Sequence, residues 1–275
     1  MDSALHPAKG QTAIKSNLLP LTFDNVSFEI GGTKLIKEIS TSFEAGSLTV
    51  ILGPNGAGKS LLLRLGHGLI QPSEGQVSWQ GTGGDGNESG NPRLHQAMVF
   101  QRPTMLRRSV AANLHHVLKQ RRIPRARRRD IVEDMLQRTG LTRLAKVPAR
   151  SLSVGEQQRL AVARAWSVDP EVLFMDEPAA ALDPAATHAL EDIMAAIRAA
   201  GTKIIMSTHD LGQARRLADD VVFLYRGRML ERAPADRFFE KPENDLAEAF
   251  LNGELLWWNR KELKPPDHFK VRWQK

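Results

Sequence analysis

Short, almost wholly apolar runs alternate along this chain with longer stretches of helical periodicity. The segments LTFDNVSFEI, TKLIKEISTSF and SLTVILG, punctuated by Gly31, Gly32 and Gly46, read as strands and predict an antiparallel β opening. A helix is expected over residues 59 to about 70, a strand at 75–80, a Gly-rich polar loop at 81–92 and a strand ending at Phe100. Residues 103–167 turn helical: Ile131, Val132, Met135 and Leu136 share one face of a segment that starts near Pro124 and is stopped by Gly140. Strands return at VLFM and KIIMS with a helix at 184–199 between them, the alternation a parallel sheet requires. The pattern therefore predicts an α/β core split around a helical insert.

The runs LTVIL and VLFM are far shorter than the roughly 20 apolar residues of a membrane-spanning helix, so both read as buried strands. Residues 1–18 lack the apolar stretch of a signal peptide and read as a flexible leader. A chain of 275 residues with 41% hydrophobic and 25% charged residues can fold around a sizeable core. With no cysteine it has neither disulfides nor thiolate metal sites, and a cytoplasmic location is expected. The net charge of +7 is compatible with nucleic acid, an anionic membrane or a polyanionic ligand and does not choose among them.

The strand LTVIL runs straight into Gly53, Pro54, Asn55, Gly56, Ala57, Gly58, Lys59 and Ser60, which match G-x-x-x-x-G-K-S ahead of a helical pattern opened by Leu61. Glycines in such a loop let backbone N–H groups converge on phosphates. The helix N-terminus adds positive potential, Lys59 can reach β/γ oxygens, and Ser60 can ligate magnesium. A second strand delivers Asp176 and Glu177 to its C-terminal end, where open α/β sheets bind ligands. Asp176 then suits a water-mediated magnesium contact and Glu177 suits orienting or deprotonating the attacking water. Because side chains alternate along a strand, the two carboxylates are expected to point in opposite directions. Taken alone, an acidic pair before Pro178 is an ordinary strand-ending turn; coupled to the phosphate loop it reads as functional.

Between these motifs stands SLSVGEQQRLAVARAW, in which Ser153 and Glu156 form a capping box that starts a helix. LSVGEQQR also resembles the signature sequence of the ABC ATPase family. The resemblance covers about residues 20–235. It implies a P-loop NTPase (RecA-like) core with an antiparallel β subdomain and an inserted α-helical subdomain. The implied division is a leader at 1–18, an ABC ATPase domain at 19–239 with core 19–101 and 168–239 and helical subdomain 102–167, and a tail at 240–275 holding Trp257, Trp258 and Trp273.

The same resemblance supplies roles. Residues 53–61 would hold ATP, while Ser153, Gly155 and Glu156 would contact the ATP of a second copy in a head-to-tail homodimer. Gln101 resembles the glutamine that senses magnesium and meets the transmembrane partner, so Ser60, Gln101 and Asp176 form the implied magnesium set. Asp183 resembles the dimer-contact loop, and His209 the switch histidine that acts on the γ-phosphate beside Glu177 and Lys59. Such cassettes are peripheral ATPases that energise a separate permease, served indirectly by a solute-binding protein. The segment FQRPTMLRRSVAANL is similar to importers of anions of the tungstate and phosphate type.

Two departures from the family pattern stand out. Ile30 stands where the family carries the aromatic that stacks on adenine, with Phe28 on the same strand face as either a candidate substitute or an ordinary core residue, and Val154 replaces the first glycine of the signature pair. The basic run Arg121, Arg122, Arg125, Arg127, Arg128 and Arg129 reads as a solvated helix face, with anionic lipid or nucleic acid as the functional alternative. A soluble ABC ATPase acting on ribosomes or DNA is the rival reading. One cassette, no long heptads and no cysteine weigh against it, so no nucleic-acid partner is expected. A regulatory module that binds ATP without hydrolysing it is the second rival, opposed by the intact Lys59, Asp176, Glu177 and His209.

Overall fold

The computed structural model describes residues 18–80 and 91–254. The expected leader, most of the Gly-rich loop and the three tail tryptophans lie outside the described residues.

Strand β1 (Leu21–Ile30) pairs antiparallel with β2 (Thr33–Phe43) on one side and β4 (Glu74–Trp79) on the other, making a small sheet in the order β2-β1-β4. The second sheet has six strands in the order β5-β6-β7-β3-β8-β9, formed by β3 (Leu48–Leu52), β5 (Gln96–Val99), β6 (Val172–Asp176), β7 (Lys203–Ser207), β8 (Asp220–Tyr225) and β9 (Arg228–Pro234). All of its pairings are parallel except β8 with β9. The expectation that 47–53 belongs to the antiparallel opening is thereby corrected. LTVIL is buried at all five positions, so it has no solvent face to present and sits at the centre of the parallel sheet, covered on both sides.

Two apolar clusters explain the layering. One fills the space between the small sheet, helix α1 (Lys59–His67) and the near face of the large sheet, with Phe23, Phe43, Leu62, Leu63 and Phe174 among its members. The other lies under the opposite face and reaches α4 (Val154–Trp166), α5 (Pro184–Ala199) and, through Phe223 against Phe250, α8 (Asp245–Leu251). Between β5 and β6 the chain makes α2 (Val110–Gln120), α3 (Arg125–Arg138) and α4, the helices that the periodicity of 103–167 anticipates. Short helices α6 (Leu211–Leu217) and α7 (Ala235–Glu240) complete the order.

Helix α1 stops at His67, short of the expected end near residue 70. Gly68 adopts φ 75°, and its N–H donates to the carbonyls of Arg64 and Leu65, a left-handed stop that costs least at glycine. The basic run is only partly a solvated face: Arg121 reaches the Gln96 carbonyl at 3.1 Å and Arg128 the Ile123 carbonyl at 2.6 Å.

Lys203 opens β7 with 1% of its surface exposed and donates to Thr49 Oγ1 at 2.8 Å. Burial pushes its pKa down from 10.5 to about 8, opposed by the charge of Asp220. Below pH 8 the ammonium is charged in both folded and unfolded chains, so its burial cost is constant. Between pH 8 and 10.5 the folded chain sheds the proton while the unfolded chain keeps it, and stability rises with pH. Chemical denaturation across that window is expected to show a gain of about 3 kcal/mol in the wild type that is absent in Lys203→Met. Parallel pH curves for the two proteins would refute the assignment.

Candidate functional site

The loop between β3 and α1 is shaped by backbone that only glycine tolerates. A Cβ on Gly53 would lie 2.2 Å from the Leu224 carbonyl oxygen, and one on Gly58, which holds φ 104°, would lie 2.7 Å from Ile36 Cδ1. Gly58 is also the N-cap of α1, and no side chain caps that end. The first-turn N–H groups and the positive end of the helix dipole are therefore presented to whatever anion enters the loop.

An open cavity of ≈ 630 Å³ sits above this loop, lined by Asn55, Gly56, Ala57, Gly58, Lys59, Ser60, Leu61, Gln101, Glu177 and His209, together with Leu35 and Ala180. Lys59, 5% exposed, donates to the carbonyls of Gly53 at 2.9 Å and Pro54 at 3.3 Å and pairs with Glu177 Oε1 at 3.3 Å. Glu177 Oε2 meets His209 Nδ1 at 3.1 Å and accepts from Gln101 Nε2 at 3.4 Å. One carboxylate thus collects groups from three other places in the sequence.

The second carboxylate takes a separate task. Asp176 Oδ1 accepts from Ser60 Oγ at 2.7 Å and from Ser207 Oγ at 2.8 Å. Strand β7 lies between β3 and β6, so Ser60 and Asp176 meet across an intervening strand whose last residue, Ser207, joins them. The division of labour between the carboxylates does not come from alternation along a strand. Asp176 ends β6, and Glu177 leaves it with φ 43°, held by its N–H donating to Ser207 Oγ at 3.0 Å and to the Ser207 carbonyl at 3.1 Å. A non-glycine residue kept in the left-handed region stores strain, and such residues cluster at working sites. Ser207 is the site residue that sequence reading misses. Its signal is faint, a serine two positions before His209 at a strand end, and becomes meaningful only once the strand order is known.

The donors Ser60 and Asp176 are hard oxygen groups 2.7 Å apart, the kind of set that suits magnesium bound with a nucleotide's phosphates, and the carboxamide oxygen of Gln101 is of the same kind.

The signature segment stands elsewhere. Ser153, Gly155 and Glu156 are not among the residues that line this cavity. Ser153 caps α4: its N–H donates to Glu156 Oε2 at 2.8 Å while its Oγ accepts from Glu156 N at 3.4 Å. Hydrogen bonding to Ser153 holds the Glu156 carboxyl below the usual range. Val154 follows with 59% of its surface exposed, and Gly155 faces Ala186 of α5, 2.9 Å from where a Cβ would stand. Asp183 caps α5, its Oδ1 accepting from Ala186 N at 2.8 Å. Ile30 is 60% exposed, whereas Phe28 packs on the cluster beneath the small sheet, and neither lines the cavity.

No helix among the described residues is long and apolar enough to cross a membrane. The family model described as "ABC transporter" matches residues 36–180. The phosphate import ATP-binding protein PstB 2 of Natronomonas pharaonis is 36% identical over 250 residues, which cover 86% of this chain and 88% of that protein. The glutamate/aspartate import ATP-binding protein GltL of Escherichia coli K12 is 35% identical over 239 residues, 84% of this chain and 98% of its own. Among solved structures, cbiO1 of Clostridium perfringens, described as part of the ABC transporter complex cbiONQ, matches with a TM-score of 0.72 at 28% identity, over 84% of this chain and 94% of that one. A phosphate loop closed by Lys59 and Ser60, an acidic strand end beside it and a match spanning most of the chain lead to one conclusion: this protein belongs to the family of ABC transporter ATP-binding subunits, the ATPases of import systems.

Proposed function

We propose that two copies of the chain bind two ATP head to tail, each nucleotide lying between residues 53–61 of one copy and Ser153, Gly155 and Glu156 of the other. The single observation that carries the reading is the convergence of Lys59, Gln101 and His209 on Glu177, beside the Ser60–Asp176 pair. In this resting arrangement Lys59 neutralises Glu177. Arriving phosphates offer Lys59 a stronger anionic partner, and its departure leaves the Glu177 carboxylate free to accept a proton from water. His209 is placed to hydrogen-bond the γ-phosphate and to hold that water through Glu177. Lys59 and the α1 N-terminus meet the charge that builds on the phosphoryl oxygens. Magnesium, held by Ser60 and, through water, by Asp176, with Gln101 sensing it, would supply further neutralisation of the phosphates.

Closure of the pair with both ATPs and reopening after hydrolysis form a ligand-biased two-state switch. In this reading residues 19–239 are the ATPase domain and 102–167 its helical subdomain. The pair works at the cytoplasmic face of the cell membrane on a separate permease, with a solute-binding protein acting indirectly. The solute we propose is a small anion such as tungstate, molybdate or phosphate. The two importer relatives carry different solutes in their names, and no residue of a cassette touches the solute, so the test must go through the partner.

Tagged protein purified from membranes is expected to bring a polytopic protein in stoichiometric amount, whose transport activity then identifies the solute. Recovery of ribosomes or DNA without a membrane protein would overturn the transporter reading in favour of a soluble ATPase. A partner that carries neutral solutes would overturn the anion assignment alone.

A further inference from the structure

Ser207 ends β7 with none of its surface exposed, and in register it pairs with Ile51 of β3 on one side and Asp176 of β6 on the other. The strand that feeds the phosphate loop and the strand that delivers the acidic pair therefore meet at one residue. Its hydroxyl carries a single proton, which goes to Asp176 Oδ1 at 2.8 Å, so a lone pair is left for the Glu177 N–H at 3.0 Å. Both directions are fixed, because an ionised carboxylate only accepts and a backbone N–H only donates.

Glu177 sits where local preference does not put it. A strand continues extended, and Pro178, which follows directly, steers the residue before it toward extended backbone as well. Glu177 nevertheless holds φ 43°, a conformation that is costly for a residue with a Cβ and persists only where the surroundings impose it. Both acceptors of its N–H come from Ser207, the carbonyl at 3.1 Å and the hydroxyl at 3.0 Å. Any side chain at 207 would leave the carbonyl in place; only the hydroxyl depends on serine. The turn in turn decides where the carboxylate goes, since it is the turned Glu177 that meets Lys59 Nζ at 3.3 Å, His209 Nδ1 at 3.1 Å and Gln101 Nε2 at 3.4 Å.

We propose that Ser207 is a positioning residue for hydrolysis: its hydroxyl, oriented by Asp176, holds the Glu177 backbone in the turn that aims the carboxylate at the attacking water. This role rests on the reading of Glu177 as the group that acts on that water. It adds a coupling, because the carboxylate proposed for magnesium and the one proposed for water are linked through one proton and one lone pair. The charge-assisted contact at Asp176 fixes the hydroxyl, and the fixed hydroxyl fixes Glu177. Phosphate binding relies instead on the loop backbone, Lys59 and Ser60.

The test compares Ser207→Thr with Ser207→Val in the full chain, two side chains of nearly equal shape of which only threonine keeps the hydroxyl. Any cost of the added methyl group falls on both alike. Ser207→Thr is expected to keep kcat within about threefold of the wild type and Ser207→Val to fall at least about tenfold below it, a loss on the scale of misplacing a general base. KM, and calorimetric affinity for a non-hydrolysable ATP analogue, should stay within about threefold in both. Crystal structures should show the Glu177 carboxylate still paired with Lys59 in Ser207→Thr and displaced beyond about 4 Å from it in Ser207→Val. Equal kcat in the two variants, an undisplaced Glu177 in Ser207→Val, or a loss of nucleotide affinity that matches the loss of kcat would each overturn the proposal. If Ser207→Val does not fold, Ser207→Ala against the wild type makes the same comparison. Adding Ser207→Ala to Glu177→Gln is expected to cost nothing more, and a further tenfold loss would place the action of Ser207 elsewhere and overturn its role. Normal turnover in Glu177→Gln would overturn the reading of Glu177 and this role with it, whereas slow turnover there beside full kcat in Ser207→Val would overturn the role of Ser207 alone.

Discussion

Glu177→Gln is expected to bind ATP with undiminished affinity and to hydrolyse it at least about 100-fold more slowly than the wild type, the range associated with losing a general base. The amide keeps the shape of the side chain and can still accept a hydrogen bond, so the contacts from Gln101 and His209 need not collapse. Two properties change. The amide takes no proton from water, and it releases Lys59 from the ion pair of the resting state, which leaves that cation available to phosphate from the start. The variant should therefore accumulate as a closed dimer with ATP, visible as an ATP-dependent shift in size-exclusion chromatography. Near-normal turnover would remove Glu177 from the role given to it.

Lys59→Ala should fail at an earlier step, losing nucleotide binding and hydrolysis together by about 100-fold or more, since a charge-assisted contact to the transferring phosphoryl group disappears. The same change strips Glu177 of its cation and leaves the Gly53 and Pro54 carbonyls without their donor. A modest loss of stability, about 1–3 kcal/mol, should accompany the functional one. Measuring thermal unfolding beside nucleotide binding separates the two effects. Retained turnover in a stably folded variant would show that the phosphates are held by backbone alone. The two variants together distinguish binding from chemistry: Glu177→Gln traps the nucleotide, whereas Lys59→Ala should never acquire it.

Much of the architecture is legible because it is written in local pattern. Five consecutive buried residues at 48–52, running into glycine, form a strand, and the Gly-rich segment and periodic residues after it form a phosphate loop and a helix, all within reach of neighbours in the chain. The capping box at Ser153 is equally local, since all of its hydrogen bonds fall within one helical turn. Assigning that strand to the antiparallel sheet failed because the partner of a strand is not a local property. LTVIL pairs with β7 and β8, whose residues 204–207 and 220–223 lie far downstream, and sequence proximity to β1 and β2 misleads.

The site divides in the same way. Sequence alone determined which residue types are candidates for the proposed chemistry: a lysine and a serine closing a glycine loop, an acidic pair at a strand end, a capped helix start, and a glutamine and a histidine in the order of the family. Only the tertiary structure decided how they meet. It placed β7 between β3 and β6, so that Ser207 bridges Asp176 and the Glu177 backbone. It turned Glu177 off its strand at φ 43°, and it brought Gln101 and His209 onto the same carboxylate. It also turned Arg121 from a member of a charged run into an anchored side chain that donates to the Gln96 carbonyl. The reason is physical: propensity and periodicity act over a few residues, whereas strand order, strained backbone and uncompensated burial arise from contacts between segments far apart in the chain, where packing overrides local preference.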